Sequence, residues 1–340
     1  MNSISTLFFA FLTFCLFSQT EIECICSTDQ TPSGVMVSHV HPKNEWMFSY
    51  RYMNMNMSGN IEGTNSIDDV QIFQNYLAAP KTMVMDMHMI MGMYGVSDKV
   101  TGMVMFNYLD KKMSMNMLPT NPNSGHNHSS VEGHEMRSSG LSDIQLSVLY
   151  GVISNKKEQL IVSSEINIPI GSIEKKGGSD DMMYPSKRYP YNMQIGTGNF
   201  SITPQLTYLR EFGDKTFSVQ ASNYFNVFNN VLGYKYGNRF HLTGWYSMLL
   251  GSSFSSSVRV SYTLENDIVG SDKQLYSMTE PASNSANYGG SNLVFLIGSS
   301  YHFAEKHRVA LELGSSIYQQ VNGIQMKNRF TLNLAYNISF

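Results

Sequence analysis

The stretch "RFTLNLAYNISF" (Arg329–Phe340) decides the fold. Phe330, Leu332, Leu334, Tyr336, Ile338 and Phe340 share one parity, and Thr331, Asn333, Ala335, Asn337 and Ser339 the other. A side-chain period of two with one apolar and one polar side predicts a half-buried β-strand. The alternation recurs upstream: Ile144, Leu146, Val148 and Tyr150 oppose Gln145 and Ser147, and Leu206 and Tyr208 oppose Gln205 and Thr207. Val258, Val260 and Tyr262 oppose Ser257, Arg259 and Ser261.

Strands are expected near 45–57, 82–96, 100–113, 140–153, 160–171, 194–210, 216–228, 240–250, 254–265, 291–303, 308–319 and 329–340. Short polar turns at 97–99, 154–159, 213–215, 251–253 and 304–307 alternate with longer segments at 58–81, 113–139, 172–193, 229–239, 268–290 and 320–328. Short turns at one end and long loops at the other are the arrangement of an outer-membrane barrel. The expected fold is therefore all-β, a transmembrane antiparallel up-and-down β-barrel of about twelve strands. An even count puts both chain ends on the periplasmic side, and closure removes the unpaired edges. The terminal Phe340 strand is the pattern with which bacterial outer-membrane barrels end, which points to the outer-membrane insertion machinery as a partner.

Composition agrees. Charged residues make up 14% of 340 residues, against roughly 25% in soluble domains. Aromatics reach 12%. After the N-terminus no apolar run reaches the roughly 18 residues of a membrane helix. A net charge of −3 argues against nucleic acid. The expected surroundings are the lipid bilayer of a Gram-negative outer membrane. Residues 1–20 read as a signal peptide whose apolar core, Ile4 to Phe17, follows an n-region without Lys or Arg. Residues 21–44 are expected to be a periplasmic segment or plug, and 45–340 the barrel. Cys24 and Cys26 form a lone C-x-C of little specificity.

The interior follows from parity. In 45–57, Trp46, Phe48, Tyr50 and Tyr52 make the lipid face, so Arg51, Met53 and Met55 turn inward. In 100–113, Asn107 belongs inside, and Met103 and Met105 share its parity. The stretch "MVMDMHMIMGM" (Met83–Met93) has methionine at every second position. If its methionines face lipid, Asp86 and His88 line the lumen. If Met85, Met87, Met89 and Met91 face inward, Asp86 and His88 sit above the bilayer. Counting a 9–11-residue span back from the turn favours the inward placement. Asp143, Glu165, His241, Arg259 and Glu312 complete the expected lumen lining.

Three uses of the methionines stay open. They are flexible apolar filler against an N-terminal plug, a pliable path for aromatic or lipidic solutes, or soft ligands for copper or silver. Histidines bear on the last. His39 and His41 precede the first strand, and His126, His128, His134 and Met136 lie in or beside a long external loop. H-x-H in extended chain puts both imidazoles on one side, which suits copper, although a solvated loop explains the second group as well. No other cofactor is expected. No G-x-S-x-G, H-E-x-x-H, phosphate-loop or dinucleotide pattern is present, so an enzyme is not expected.

The runs "SHVHPKNEWMFSYRYMNMNM", "MVMDMHMIMGMYGVSDKVTGMVMFNYLDKKM", "GLSDIQLSVLYGV", "INIPIGSI" and "YNMQIGTGNFSITPQLTYL" together resemble the bacterial outer-membrane transporter-like barrels grouped under the meta-pathway of phenol degradation. The resemblance covers roughly residues 36–340, with G-x-S-D before a strand and "PYNMQIGTG" as its most specific parts. It implies an outer-membrane barrel that moves small hydrophobic or aromatic solutes. It carries over no substrate residues.

Overall fold

The computed structural model describes residues 30–118, 133–155, 157–178, 187–303 and 306–340. The expected signal peptide (1–20), Cys24, Cys26, His126 and His128 lie outside the described residues.

Twelve strand runs build the wall: β1 Trp46–Gly63, β2 Ala78–Ser97, β3 Val100–Met117, β4 Gly133–Leu141, β5 Ile144–Ser154, β6 Glu158–Ile168, β7 Ser201–Phe212, β8 Lys215–Asn226, β9 Arg239–Leu250, β10 Phe254–Glu265, β11 Gly290–Phe303 and β12 His307–Ser339. Neighbours along the chain pair antiparallel. β4 and β5 share one partner. β4 lies along the outer half of β3 and β5 along the inner half, so they act as one strand broken at Ser142–Asp143.

Closure fixes the strand count. β12 pairs antiparallel with β11 (Phe303↔His307 through Gly290↔Val321) and with β1 (Met47↔Ser339 through Gly63↔Val321). A straight strand cannot be antiparallel to both, because β11 and β1 are themselves antiparallel by alternation. β12 therefore folds back on itself at Asn322–Gly323, where Gly323 takes φ 60°. Ser315 Oγ donates to Arg329 O at 2.6 Å across the two legs, and Asn328 N donates to Gln319 Oε1 at 3.0 Å. Twelve legs result, with β4 and β5 counted as one, and the barrel is closed. Glycine is the residue that takes this positive φ without strain. The expected loop at 320–328 is thus corrected to a tight turn inside continuous strand.

Outward side chains form an exposed apolar belt that includes Phe48, Ile90, Phe106, Val148, Leu206, Phe217, Val258, Phe295 and Leu334. The wall is taller on one side, where β1, β2 and β3 run 18, 20 and 18 residues against 11 or 12 for β6 to β10. Above the belt its outer face turns polar. Tyr52 donates to Asp86 Oδ1 at 2.5 Å, Tyr50 bonds His88 at 2.8 Å, Arg137 pairs with Asp110 at 2.6 Å and Lys112 with Glu135 at 2.8 Å. Charges at this height mark it as outside the hydrocarbon. The structure places Asp86 and His88 here and turns Met83–Met93 inward. The expected loop at 113–139 is correspondingly shorter, since 113–117 and 133–139 are strand.

A second correction concerns 194–200, expected to open a strand. These residues run as irregular chain, mostly buried, before β7. The amide and hydroxyl of Thr197 are taken by Asp143, and Gly196 lies against Gly171, so no neighbour strand is available to them.

Candidate functional site

Register turns the methionines into rows. Met47, Met93 and Met103 stand directly opposite one another across β1, β2 and β3. Met91 faces Met105, Met53 faces Met87 and Met55 faces Met85. The outermost row joins Met57, Met83, Met113 and Met136 across four strands. Side chains directly opposite lie about 5 Å apart at Cβ, so each row is a chain of touching neighbours. Parity predicts that the methionines share a face. Their alignment depends on strand register and turn geometry as well, which parity leaves open.

The inner rows do not border open space. Met47, Met89, Met91, Met93, Met103 and Met105 are buried with Val37, Leu149 and Ile161, and Met36, Val40, Met53 and Met87 pack against them. Val37 belongs to the segment 30–44, which passes inside the barrel. Its carbonyls are met by the wall. Arg51 donates to Ser33 O at 2.9 Å and to Val35 O at 2.6 Å. Gln205 reaches Val37 O, Gln220 reaches Met36 O, Ser247 reaches Gln30 O and Arg308 reaches Thr31 O. A peptide without strand partners can be buried only if such donors replace the ladder. At Gly34 the segment rests on the ion pair of Arg259 and Glu312, with Gly34 N donating to Glu312 Oε2 at 3.1 Å. A Cβ at Gly34 would collide with both side chains.

Beyond this segment lies a cavity of about 710 Å³. Met53, Met55 and Met57 line one side, and Glu165, His241 and Arg259 stand among its polar lining. A second cavity, of about 240 Å³, lies nearer the long loops, between Met57, Met83, Met85 and Met326 on the wall and Pro281 and Tyr288 on the loops. Met57, Tyr288, Gln325 and Met326 line both, so the two adjoin.

The long loops cover the extracellular end. Tyr191, Tyr234 and Ile268 are buried together, with Tyr236 and Tyr288 packed against them. Burial pushes the Tyr236 and Tyr288 phenols well above the usual tyrosine range. Two inward side chains tie this cover to the wall. Asp143 accepts from Gly171 N at 2.9 Å, Thr197 N at 3.0 Å, Thr197 Oγ1 at 2.7 Å and Asn167 Nδ2 at 3.0 Å. Lys111 Nζ donates to Asn192 O at 2.9 Å and Gln194 O at 2.6 Å. Its level lies above the lipid, since Asp110 and Lys112 beside it carry the outer ion pairs. Burial lowers the Lys111 ammonium to about 8.

The expected lumen residues therefore divide. Met53, Met55, Glu165, His241 and Arg259 border the inner cavity and Met85 the outer one. Met87, Met89, Met91, Met103 and Met105 pack under the N-terminal segment. Arg51 and Glu312 hold that segment, and Asp143 holds the cover. The histidine groups lie at opposite ends: His41 N donates to Thr101 Oγ1, whereas His134 faces Met115. About 45 Å of strand separates Thr101 from Met115, so His39 and His41 cannot share a metal with His134 and Met136. Among the described residues no group of three or more His, Cys, Asp or Glu side chains is arranged to hold a metal. Sequence reasoning missed Lys111, although Leu109, Lys111 and Met113 share the parity of Asn107. It also missed Gln205, Gln220, Arg308 and the loop tyrosines, whose roles depend on what the N-terminal segment and the loops bring to them.

A closed barrel with an apolar belt, an internal N-terminal segment and a loop cover defines the class: a transmembrane β-barrel of the Gram-negative outer membrane. No protein-family model and no curated protein matches the chain. Among solved structures it is similar to an outer membrane channel from Pseudomonas putida F1, with 13% identity, 89% of this chain and 98% of that chain covered, and a TM-score of 0.61. The KdgM porin overlaps with 9% identity, 86% and 99% coverage and a TM-score of 0.41. The TodX deltaS2S3 mutant monoaromatic hydrocarbon channel overlaps with 9% identity, 88% and 91% coverage and a TM-score of 0.43. At these identities the likeness is one of fold, and only the first overlap bears on it.

Proposed function

We propose that this protein is a channel that admits small, largely apolar solutes, aromatic ones included, across the outer membrane. One observation carries the reading: two adjoining cavities lead inward from the loop cover along the methionine wall and stop at the segment 30–44. The outer cavity offers thioethers, proline and tyrosine that adapt to a flat apolar molecule, beside the amides of Asn60, Asn192, Asn287 and Gln325, which can meet a polar edge. The inner cavity adds Glu165, His241 and Arg259 opposite the methionines, so its wall is mixed. Charges of both signs stand there, which favours neither anions nor cations. The resemblance to the transporter-like barrels of phenol degradation supports the same substrate class.

The segment 30–44 acts as the closure on this path. Its hold on the wall is polar and spread over several side chains, each contributing on the order of 1 kcal/mol net. Such a set yields piecewise rather than all at once. The test is solute flux into liposomes carrying the folded full chain, with a small aromatic alcohol and a sugar of similar size. Faster entry of the aromatic solute is expected, and more so when Gly34→Leu dislodges the segment. Equal entry of both solutes, or none above empty liposomes with either chain, rules the reading out.

A further inference from the structure

We propose that Met83, Met113 and the side-chain amide of Asn192 form a binding site for a soft monovalent cation, copper(I) or silver(I), at the extracellular end of the methionine wall. Met83 and Met113 stand directly opposite each other on β2 and β3. Asn192, delivered by the loop cover, points its amide at both. Its Nδ2 lies 3.7 Å from Met83 Sδ and 3.6 Å from Met113 Sδ. Two thioether sulfurs thus converge on one amide. The other end of that amide, Oδ1, is buried and has no hydrogen-bond partner among the described residues.

This arrangement is poorly explained by packing. A row of leucines would fill the same wall without drawing a polar amide into it. N–H to thioether bonds are weak, and a buried unsatisfied carbonyl costs about 1–3 kcal/mol. The oxygen and nitrogen of an amide are exchanged by a half-turn about its last bond. After that turn Oδ1 joins the two sulfurs, and three neutral donors face one point. A cation there bonds the oxygen and both sulfurs together, and that binding has to offset the N–H groups turned to the side where Oδ1 had no partner.

The donor set selects the ion. Thioethers prefer soft cations, and a neutral set favours a single charge. Lys111 sharpens this, because its ammonium is fixed on Asn192 O and Gln194 O nearby and disfavours a divalent ion. Access is present as well. Met83 and Asn192 line the outer cavity with Met57, Met85 and Met326, and Met57 and Met136 extend the row on either side. A bound ion therefore has further thioethers within reach. The site does not depend on the solute-channel reading, since it needs no flux.

The test titrates silver(I), which is redox-inert, into the folded full chain in detergent and chloride-free buffer with its cysteines alkylated. Metal retained after gel filtration is counted, and the X-ray absorption edge region reports its neighbours. About one ion per chain with at least two sulfur neighbours is expected. Met83→Leu with Met113→Leu should weaken binding at least tenfold, and Asn192→Ala severalfold, while Met47→Leu with Met103→Leu leaves it unchanged. No retained silver, or retention indifferent to the Met83 and Met113 changes, overturns the site. If the double variant does not fold, Asn192→Ala decides: unchanged affinity there is equally fatal.

Discussion

Arg259 and Glu312 meet through two parallel hydrogen bonds of 2.7 Å on the inner wall, and Glu312 is wholly buried. Glu312 also accepts from Gly34 N and from Asn333 Nδ2. The pair is thus a seat for the N-terminal segment as well as a brace between β10 and β12. Glu312→Gln leaves the Arg259 guanidinium without a carboxylate. The expected loss is about 1–3 kcal/mol, below the figure for a dry pair because Arg259 also borders the inner cavity. A lower midpoint for the heat-induced shift in gel mobility checks it, and an unchanged midpoint counts against the brace. Single-channel current should rise in the same variant.

Asp143 gathers four donors from three segments, 167, 171 and 197. Asp143→Asn replaces an acceptor by a donor against at least one of them. About 2–3 kcal/mol of docking is expected to go. Limited proteolysis reads this directly: new cleavage within 171–200, with the barrel core intact, is the expected outcome. Protection equal to the unaltered chain contradicts it.

Lys111 gives a pH dependence with a defined sign. Its folded-state value, about 8, lies below the ordinary 10.5. Below about 8 the ammonium is charged in both the docked and undocked states, and the full cost of burying it is present. Between about 8 and 10.5 the docked state loses its proton first, so that cost is relieved and docking tightens. Hydrogen exchange at the amides of 190–196, corrected for the intrinsic rate, should therefore slow over that window. Lys111→Met should remove the dependence. Persistence of the dependence in that variant assigns it to another group.

Adjacent residues on β2 should respond in opposite ways. Ile90 is 60% exposed on the belt and Met91 is buried within the wall. Arginine at Ile90 faces lipid two residues below the level of His88, at a cost between the roughly 0–1 kcal/mol of the interface and the roughly 2–4 kcal/mol of the bilayer midplane. Met91→Leu conserves volume and should cost under about 1.5 kcal/mol. Urea-induced unfolding in vesicles separates the two, and comparable losses would show that the faces are misassigned.

Much of this was legible in the residues. Alternation in 329–340 and its repeats marked the strands, and Asn107 and Arg51 fixed the inward parity of their own strands. The parity of Met83–Met93 needed its neighbours, because Asp86 and His88 suggest a polar lumen until their height above the belt is known. Asn322–Gly323 was a readable hairpin signal that the longer polar run around it obscured. The strand-like start at 194 misled for a different reason. Period-two alternation reports side-chain direction, and Asp143 had already claimed the backbone and hydroxyl donors of Thr197. Nothing local in "TPSGVMVSHV" (Thr31–Val40) marks it as interior chain, since its partners Arg51, Gln205, Gln220 and Arg308 are contributed by β1, β7, β8 and β12.

The methionine rows also constrain how this gene can drift. Adding one residue to the Ser97–Val100 turn, or removing one, would slide β2 against β3 by a single position. Every thioether on the displaced strand would then turn toward lipid, and Asp86 and His88 would enter the interior. Length changes here are tolerable only in twos, whereas the long connections at 64–77 and 227–238 have no such rule. Lineages of this protein should therefore vary freely in outer-loop length while keeping that turn at fixed length, and a surviving one-residue insertion should arrive with a compensating bulge in β2 or β3.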